Sequence, residues 1–372
     1  MKMKIEKIRD IEFFNRESET EEIVNILKFN PRLITFIYGP INSGKTSLII
    51  NLIENLPEDY VVFYINLRGK FISNYNDFVE SLFEINREHK KNKNTISEFT
   101  KEFLAGAGKY YGIPLPENLL NVVFKDNEPK NVFEYIITVM EELKRNKRQP
   151  ILVIDELQVI GDLKIDDYLI YKIFNFFIRL TKELHLCHVF ALSSDSLFIE
   201  KVYSEAMLQE RCEYLIIDEF NEQTTKKFLG NHGFNDEEQD MVWQYAGGKP
   251  THLITSIRAK ISKTALEETL LRILMIRKGE IQTMLNRVKQ LGDKVIIGDG
   301  THKVDYNLLT GTLNKFRERS YINTMEVDEI TKTYLVKKNL LFVDPVNDII
   351  KPQSKIDLLA IREILGELNT TD

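Results

Sequence analysis

The residues Gly39 to Ser47, GPINSGKTS, set glycine, lysine and hydroxyl side chains at the spacing G-x-x-x-x-G-K-[ST]. That spacing suits a loop whose backbone N–H groups wrap around phosphate oxygens. Gly39 and Gly44 allow backbone conformations and close approach that a Cβ would deny, with Pro40, Ile41, Asn42 and Ser43 forming the arc between them. Lys45 would reach the β- and γ-phosphates, the Thr46 hydroxyl would ligate magnesium, and Ser47 would complete the cradle. Mg-ATP is the expected ligand. A second element, QPILVIDELQ, is an apolar run ending in two acids. Asp155 would hold the metal through water, and Glu156 is placed to take a proton from an attacking water. Two adjacent acids would equally suit solvation of a strand's end. A third run, HVFALSS, ends in Ser193, Ser194 and Asp195. Ser194 could sense a γ-phosphate or position water, or the Ser/Asp group could cap a helix.

A glycine-rich loop works in this way only between a strand and a helix, and both flanks fit. RLITFIY reads as a buried strand running into Gly39, and KTSLIINLIENL carries Leu48, Ile49, Leu52, Ile53 and Leu56 at helical spacing before Pro57. Further short, near-continuous apolar runs at Tyr60 to Leu67, Ile151 to Ile154, His188 to Leu192 and Tyr214 to Ile217 alternate with helical segments. This order predicts an α/β fold with a parallel sheet covered on both faces. The core is expected over residues 1–220, with an irregular helical insertion at about 73–147 containing AGAGKYYGIPLPENL and DNEPK. Residues 221–290 read as a helical lid domain. Residues 291–372 read as helices, a turn-rich LGDKVIIGDGTHK, the hairpin LLFVDPVNDIIKP and a last helix, a winged-helix-like order.

With 372 residues and 43% hydrophobic content, the chain can build several cores. Its formal charge of -6 gives no bulk attraction for nucleic acid, though a local basic face could sit within that total. Cys187 and Cys212 suggest neither a disulfide framework nor a zinc cluster. No apolar run approaches membrane-spanning length, so the sequence reads as a soluble, cytoplasmic protein without membrane contact.

The order FFNRESETEEI, GPINSGKT, ILVIDELQ, FALSSD and YAGGKP, followed by the helical and winged-helix tail, resembles the archaeal ATPase family of the STAND branch, close to the AAA+ ATPases. The resemblance covers nearly the whole chain and implies ATP and magnesium as cofactors. It places Phe14, Asn15 and Arg16 near the adenine and implies that Pro250 of the Gly248-Lys249-Pro250 signature packs near the base and couples the helical domain to nucleotide state. It also implies that Arg211, before the strand EYLII, could reach a γ-phosphate in a neighbouring subunit. The residues by themselves read more simply: a hydrophobic anchor at FFNRESE, a helix stop followed by a proline at Gly247 to Pro250, and an ion-pairing Arg211. Glu156 implies hydrolysis and not binding alone.

The expected function is an ATP-hydrolysing switch whose nucleotide state moves the C-terminal domains. Two outputs are open. In one, the C-terminal domain docks on duplex DNA through KFRER (Lys315 to Arg319) and Lys337-Lys338, although residues 278–372 hold fourteen Lys or Arg against fourteen Asp or Glu. In the other, a signalling or scaffolding switch contacts protein partners or self-assembles. A small-molecule or polynucleotide kinase on the same loop lacks the arginine-rich lid such enzymes use.

Overall fold

A computed structural model of the chain describes residues 13–86, 108–117, 129–160 and 169–368. In chain order the strands are Ile34–Tyr38 (β1), Tyr60–Asn66 (β2), Phe83–Asn86 (β3), Lys109–Tyr110 (β4), Ile113–Pro116 (β5), Gln149–Asp155 (β6), His188–Ser193 (β7) and Cys212–Ile216 (β8). They continue with Lys294–Ile297 (β9), Gly300–Lys303 (β10), Ile322–Asn323 (β11), Leu341–Asp344 (β12) and Ile349–Pro352 (β13). The main sheet runs β4-β2-β6-β7-β1-β8 and every pairing in it is parallel. Parallel pairing aligns the carboxyl ends of β1, β6 and β7 at one edge, which brings Gly39, Asp155 and Ser194 together from distant parts of the sequence.

Both faces of this sheet are buried, which is why its strands read as continuous apolar runs. Phe36, Phe63, Ile154 and Ala191 point into one core, and Ile37, Val62, Val153 and Phe190 into the other with Ile23 and Leu48. The helix Lys45–Asn55 follows the phosphate-loop sequence and buries Leu48, Ile49 and Leu52. One expectation needs correction. The stretch read as a helical insertion contributes β4 to the main sheet and a parallel β3–β5 pair, besides the helices Tyr75–Ser81 and Pro129–Arg145. A two-residue strand between glycines has no periodicity to read, and its pairing comes from the neighbouring backbone. Part of this stretch, including most of DNEPK, lies outside the described residues.

Beyond β8, the helices Glu222–Asn231, Asp236–Ala246 and Pro250–Ile261 gather around Phe228, Leu229, Val242 and Leu253. The long helix Leu266–Leu291 serves two cores: Leu270 packs in this cluster, while Leu274, Ile281, Leu285 and Val288 pack in the C-terminal one. LGDKVIIGDGTHK forms the antiparallel β9–β10 hairpin. The last region comprises the helices Tyr306–Asn314 and Glu329–Lys337, the antiparallel sheet β11-β13-β12 and the helix Lys355–Leu368. It is not tethered loosely. Phe342 of β12 is fully buried, belongs to the core under the main sheet, and stacks with Tyr38 at the end of β1.

Candidate functional site

The loop after β1 has the geometry its glycines suggested. A Cβ on Gly39 would lie 2.1 Å from the carbonyl oxygen of Ile217, so this position admits only glycine. Gly44 caps the following helix at φ 98° with open space where a side chain would be, and neither a capping side chain nor a first-turn acid occupies that helix start. Ser43 is fully buried and its hydroxyl has no partner. The Lys45 ammonium is folded back onto the carbonyls of Gly39 and Pro40, at 3.0 Å from each. Burial lowers its pKa to about 8, against the raising influence of Glu156 and Asp155.

Asp155 stands at the carboxyl end of β6. Its Oδ2 accepts from the Thr46 hydroxyl at 2.8 Å and from the Tyr64 hydroxyl at 2.7 Å. Thr46 and Asp155 thus present the hard oxygens that a magnesium ion takes, directly or through water. Glu156 is buried with φ 61°, a left-handed backbone uncommon for a non-glycine residue. Its carboxylate is paired with the Arg68 guanidinium and also accepts from Gln158. The open helix start, the buried lysine, the orphan Ser43 hydroxyl and the Thr46–Asp155 pair fit a magnesium-bound triphosphate.

The other expected residues fall in different places. Ser194 lies between β7 and Asp195, at the same sheet edge as the two acids. Asp195 itself is a helix cap, accepting from the N–H groups of Leu197 and Phe198. Arg16 is buried beneath the loop: it donates to the Ser43 carbonyl at 2.9 Å and to the Asp218 carbonyl, pairs with Glu19 and lies over the Phe220 ring. Phe14 packs against Phe220 and Phe228. Pro250 opens its helix at the first turn, and Gly248 before it meets Phe220 so closely that a Cβ would sit 1.8 Å from that carbonyl oxygen. Arg211 is at the amino end of β8, the opposite edge of the sheet from the loop, and donates to the Met207 carbonyl at 2.8 Å. A strand's length thus separates it from this chain's own phosphate loop.

Several participants carry no motif. Arg68 and Tyr64 bind the two acids, and Gln353 of the C-terminal region accepts from the Ile41 N–H at 3.2 Å inside the loop itself. Around it, Lys249 donates to the Gln353 carbonyl at 3.0 Å, Tyr38 donates to Asp344 at 2.7 Å, and Lys351 pairs with Asp218. A regular alternation on β2 could have suggested which way Tyr64 points. Nothing local could have found Gln353, 312 residues from its partner.

Parallel sheet, phosphate loop and paired acids at one edge define the class, an α/β P-loop ATPase fold. Residues 13–256 match the family described as the ATPase domain predominantly from Archaea, and the chain belongs to that family. Residues 267–365 match the C-terminal domain of the MJ1010-like ATP-binding proteins. Among relatives, the ATP-binding protein MJ1659 of Methanocaldococcus jannaschii is 47% identical over 375 residues, covering 98% of this chain and 100% of that protein. The ATP-binding protein PYRAB09480 of Pyrococcus abyssi is 45% identical over 354 residues, covering 95% and 98%. The solved Walker-type ATPase paby2304 of Pyrococcus abyssi superposes with a TM-score of 0.62 at 15% identity, over 94% of this chain and 96% of that one, a likeness of fold. Among the described residues no helix is long and apolar enough to cross a membrane.

Proposed function

We propose that the protein binds Mg-ATP on Gly39 to Ser47, hydrolyses it, and uses the change to reposition its C-terminal region. The observation that carries this reading is the hydrogen bond from the Ile41 N–H to Gln353, which joins the phosphate loop to β13 and the C-terminal sheet. A loop that closes on phosphate must adjust its backbone, and Gln353 is held by that backbone. Thr46 and Asp155 are the residues that would hold magnesium, which would supply positive charge beside the γ-phosphate. Lys45 would leave the carbonyls of Gly39 and Pro40 for the phosphates, Ser194 would orient near the γ-phosphate, and Glu156 would accept a proton from water. Arg16 shapes the loop from below through the Ser43 carbonyl, and Pro250 sets the entry of the lid helix. Arg211 could act on this chemistry only from a second copy.

The experiment is turnover and ATP binding measured on two variants. Lys45→Ala is expected to lose binding or turnover, and Glu156→Gln to keep binding while turnover falls roughly 10²-fold or more. If both hydrolyse ATP like the wild type, the assignment of the site is wrong.

For the output, we favour a protein contact by a winged-helix-like C-terminal region over duplex DNA. Four cations of its basic clusters have partners within the chain: Lys315 and Arg319 pair with Glu326, Lys338 pairs with Asp293, and Lys337 donates to the Ile296 carbonyl. Residues 278–372 as a whole balance fourteen Lys or Arg against fourteen Asp or Glu, so the region has no net attraction for a phosphate backbone.

A further inference from the structure

The amino edge of the main sheet, a strand's length from the phosphate loop, carries a second concave site. The helix Glu17–Leu27 packs Ile23 and Leu27 onto the sheet with Ile37 and Phe190. Ser18, Glu21, Glu22, Asn25 and Ile26 recur at helical spacing beside that apolar stripe, and with the amino ends of β7 and β8 they wall a groove of about 530 Å3. Three carboxylates, Glu21, Glu22 and Glu213, line it against one guanidinium, that of Arg32. Glu213 accepts from the Thr35 hydroxyl at 2.7 Å, and Lys28 at the helix end is held by Asn25 at 2.9 Å. Neither Glu21 nor Glu22 has an ion-pair partner among the described residues. Burial, then Glu213 and Glu19, raise the pKa of Glu22, as expected where like charges gather.

Deeper in the same groove lies an unsatisfied acceptor. His188, the first residue of β7, is 3% exposed, and its Nε2 has no hydrogen-bond partner. Burial, and then the charge of Lys144, lower its pKa to about 4, so the ring is neutral. A hydrogen bond with the Phe29 backbone favours a proton on the other ring nitrogen, which leaves Nε2 a lone pair. A buried acceptor is costly to leave without a donor, and a donor entering by the groove would satisfy it.

A wall of carboxylates with a lone pair behind them calls for a cation rich in N–H donors. A metal ion does not suit it, because among the described residues no three His, Cys, Asp or Glu side chains gather closely enough to hold one. A peptide brings a backbone acceptor with nearly every backbone donor. An aliphatic polyamine carries donors alone and spaces its charges with methylenes, which Ile26, Leu33 and the 74% exposed Phe29 can cover. We propose that the groove between the helix Glu17–Leu27 and the amino ends of β7 and β8 binds a linear polyamine. Its ammonium groups meet Glu21, Glu22 and Glu213, and one N–H is donated to His188 Nε2. This site does not rest on the reading of the phosphate loop.

The test is calorimetric titration of the full chain with spermidine in about 0.1 M salt, where exposed charges more than about 10 Å apart are largely screened. One spermidine is expected to bind per chain, more tightly than the diamine putrescine, and magnesium chloride at equal concentration should not displace it. Glu21→Gln and Glu22→Gln, at exposed positions, should each keep the melting temperature and weaken binding about fivefold, and Glu22→Lys should abolish it. His188→Phe should weaken binding about tenfold. Lys45→Ala should bind spermidine like the wild type, which separates this groove from the phosphate loop. Absence of binding at this salt, displacement by magnesium, wild-type affinity in Glu22→Lys, or loss of binding in Lys45→Ala would each overturn the polyamine site. Wild-type affinity in His188→Phe would overturn the contact at Nε2; should that variant fail to fold, Glu22→Lys still decides whether the groove is the site.

Discussion

Removing one oxygen atom at Tyr38 tests whether the C-terminal region is seated on the ATPase core as a separable unit. Tyr38 ends β1 immediately before the phosphate loop, and its hydroxyl donates to Asp344 of β12 at 2.7 Å, with both residues buried. Burial, and then Asp344, push the Tyr38 phenol well above its ordinary pKa, so this group is a donor at all working pH values. Tyr38→Phe keeps the ring and its stacking on Phe342 but deletes the donor. A buried hydrogen bond to a carboxylate contributes about 1.5–3 kcal/mol. Here the loss is smaller, because Asp344 retains Asn347 Nδ2 at 2.7 Å and the Val346 N–H at 3.2 Å. About 1–2 kcal/mol remains, roughly a five- to thirtyfold increase in the opening equilibrium of the docked region.

Hydrogen exchange followed by mass spectrometry reads that opening peptide by peptide. In Tyr38→Phe, peptides spanning β12 are expected to exchange faster by that factor, while those of β6 and β7 keep wild-type rates. Mg-ATP added to the wild type should accelerate the same β12 peptides. Unchanged β12 exchange would show that this contact does not hold the region down. Equal acceleration in β12 and β7 would show that core and C-terminal region open together, and a switch made of two bodies would then have to be abandoned.

Two further outcomes follow from charges already described. The Lys45 pKa is lowered to about 8 by burial, whereas a bound triphosphate favours the protonated form. ATP binding should therefore take up close to half a proton at pH 8 and much less at pH 6.5, with affinity falling as pH rises through 8; calorimetry in buffers of different ionisation enthalpy measures this, and pH-independent proton uptake would refute it. Because the acids and bases of residues 278–372 balance, the double substitution Lys337→Glu/Lys338→Glu should leave retention on duplex DNA unchanged. Salt-sensitive retention lost in that variant would restore the C-terminal region as a duplex-binding face.

Much of the ATPase core was legible because its signals are local. Buried parallel strands are continuous apolar runs, and a phosphate loop needs particular residues at particular spacings, so Gly39, Lys45, Thr46 and Asp155 could be named as candidates before any geometry was known. Their mutual arrangement follows from parallel pairing, which aligns strand ends whatever the length of chain between them. The edge strand β4 escaped because two residues carry no period. Arg16 was legible as a residue of interest, but its contact with the Ser43 carbonyl supports the loop from beneath, a role that short-range pattern cannot separate from contact with a base.

What stayed illegible is the set of contacts that reach the site from outside its motifs. Arg68 and Gln353 belong to no motif; an arginine after a strand and a glutamine before a helix are ordinary surface choices. Their meaning comes from what the fold sets against them, a buried glutamate in one case and a loop N–H in the other. The two contacts also differ in kind. Gln353 joins a buried, apolar-backed surface in which Phe342 is part of the ATPase core, so its release requires a whole region to move. Arg68 is mostly solvent-exposed, held by its backbone turn and by one ion pair with Glu156, so side-chain rotation alone would release it. The first is where a change in the phosphate loop would meet the C-terminal region. The second ties a buried acid to an exposed guanidinium, so the same sheet edge has one deep anchor and one surface anchor.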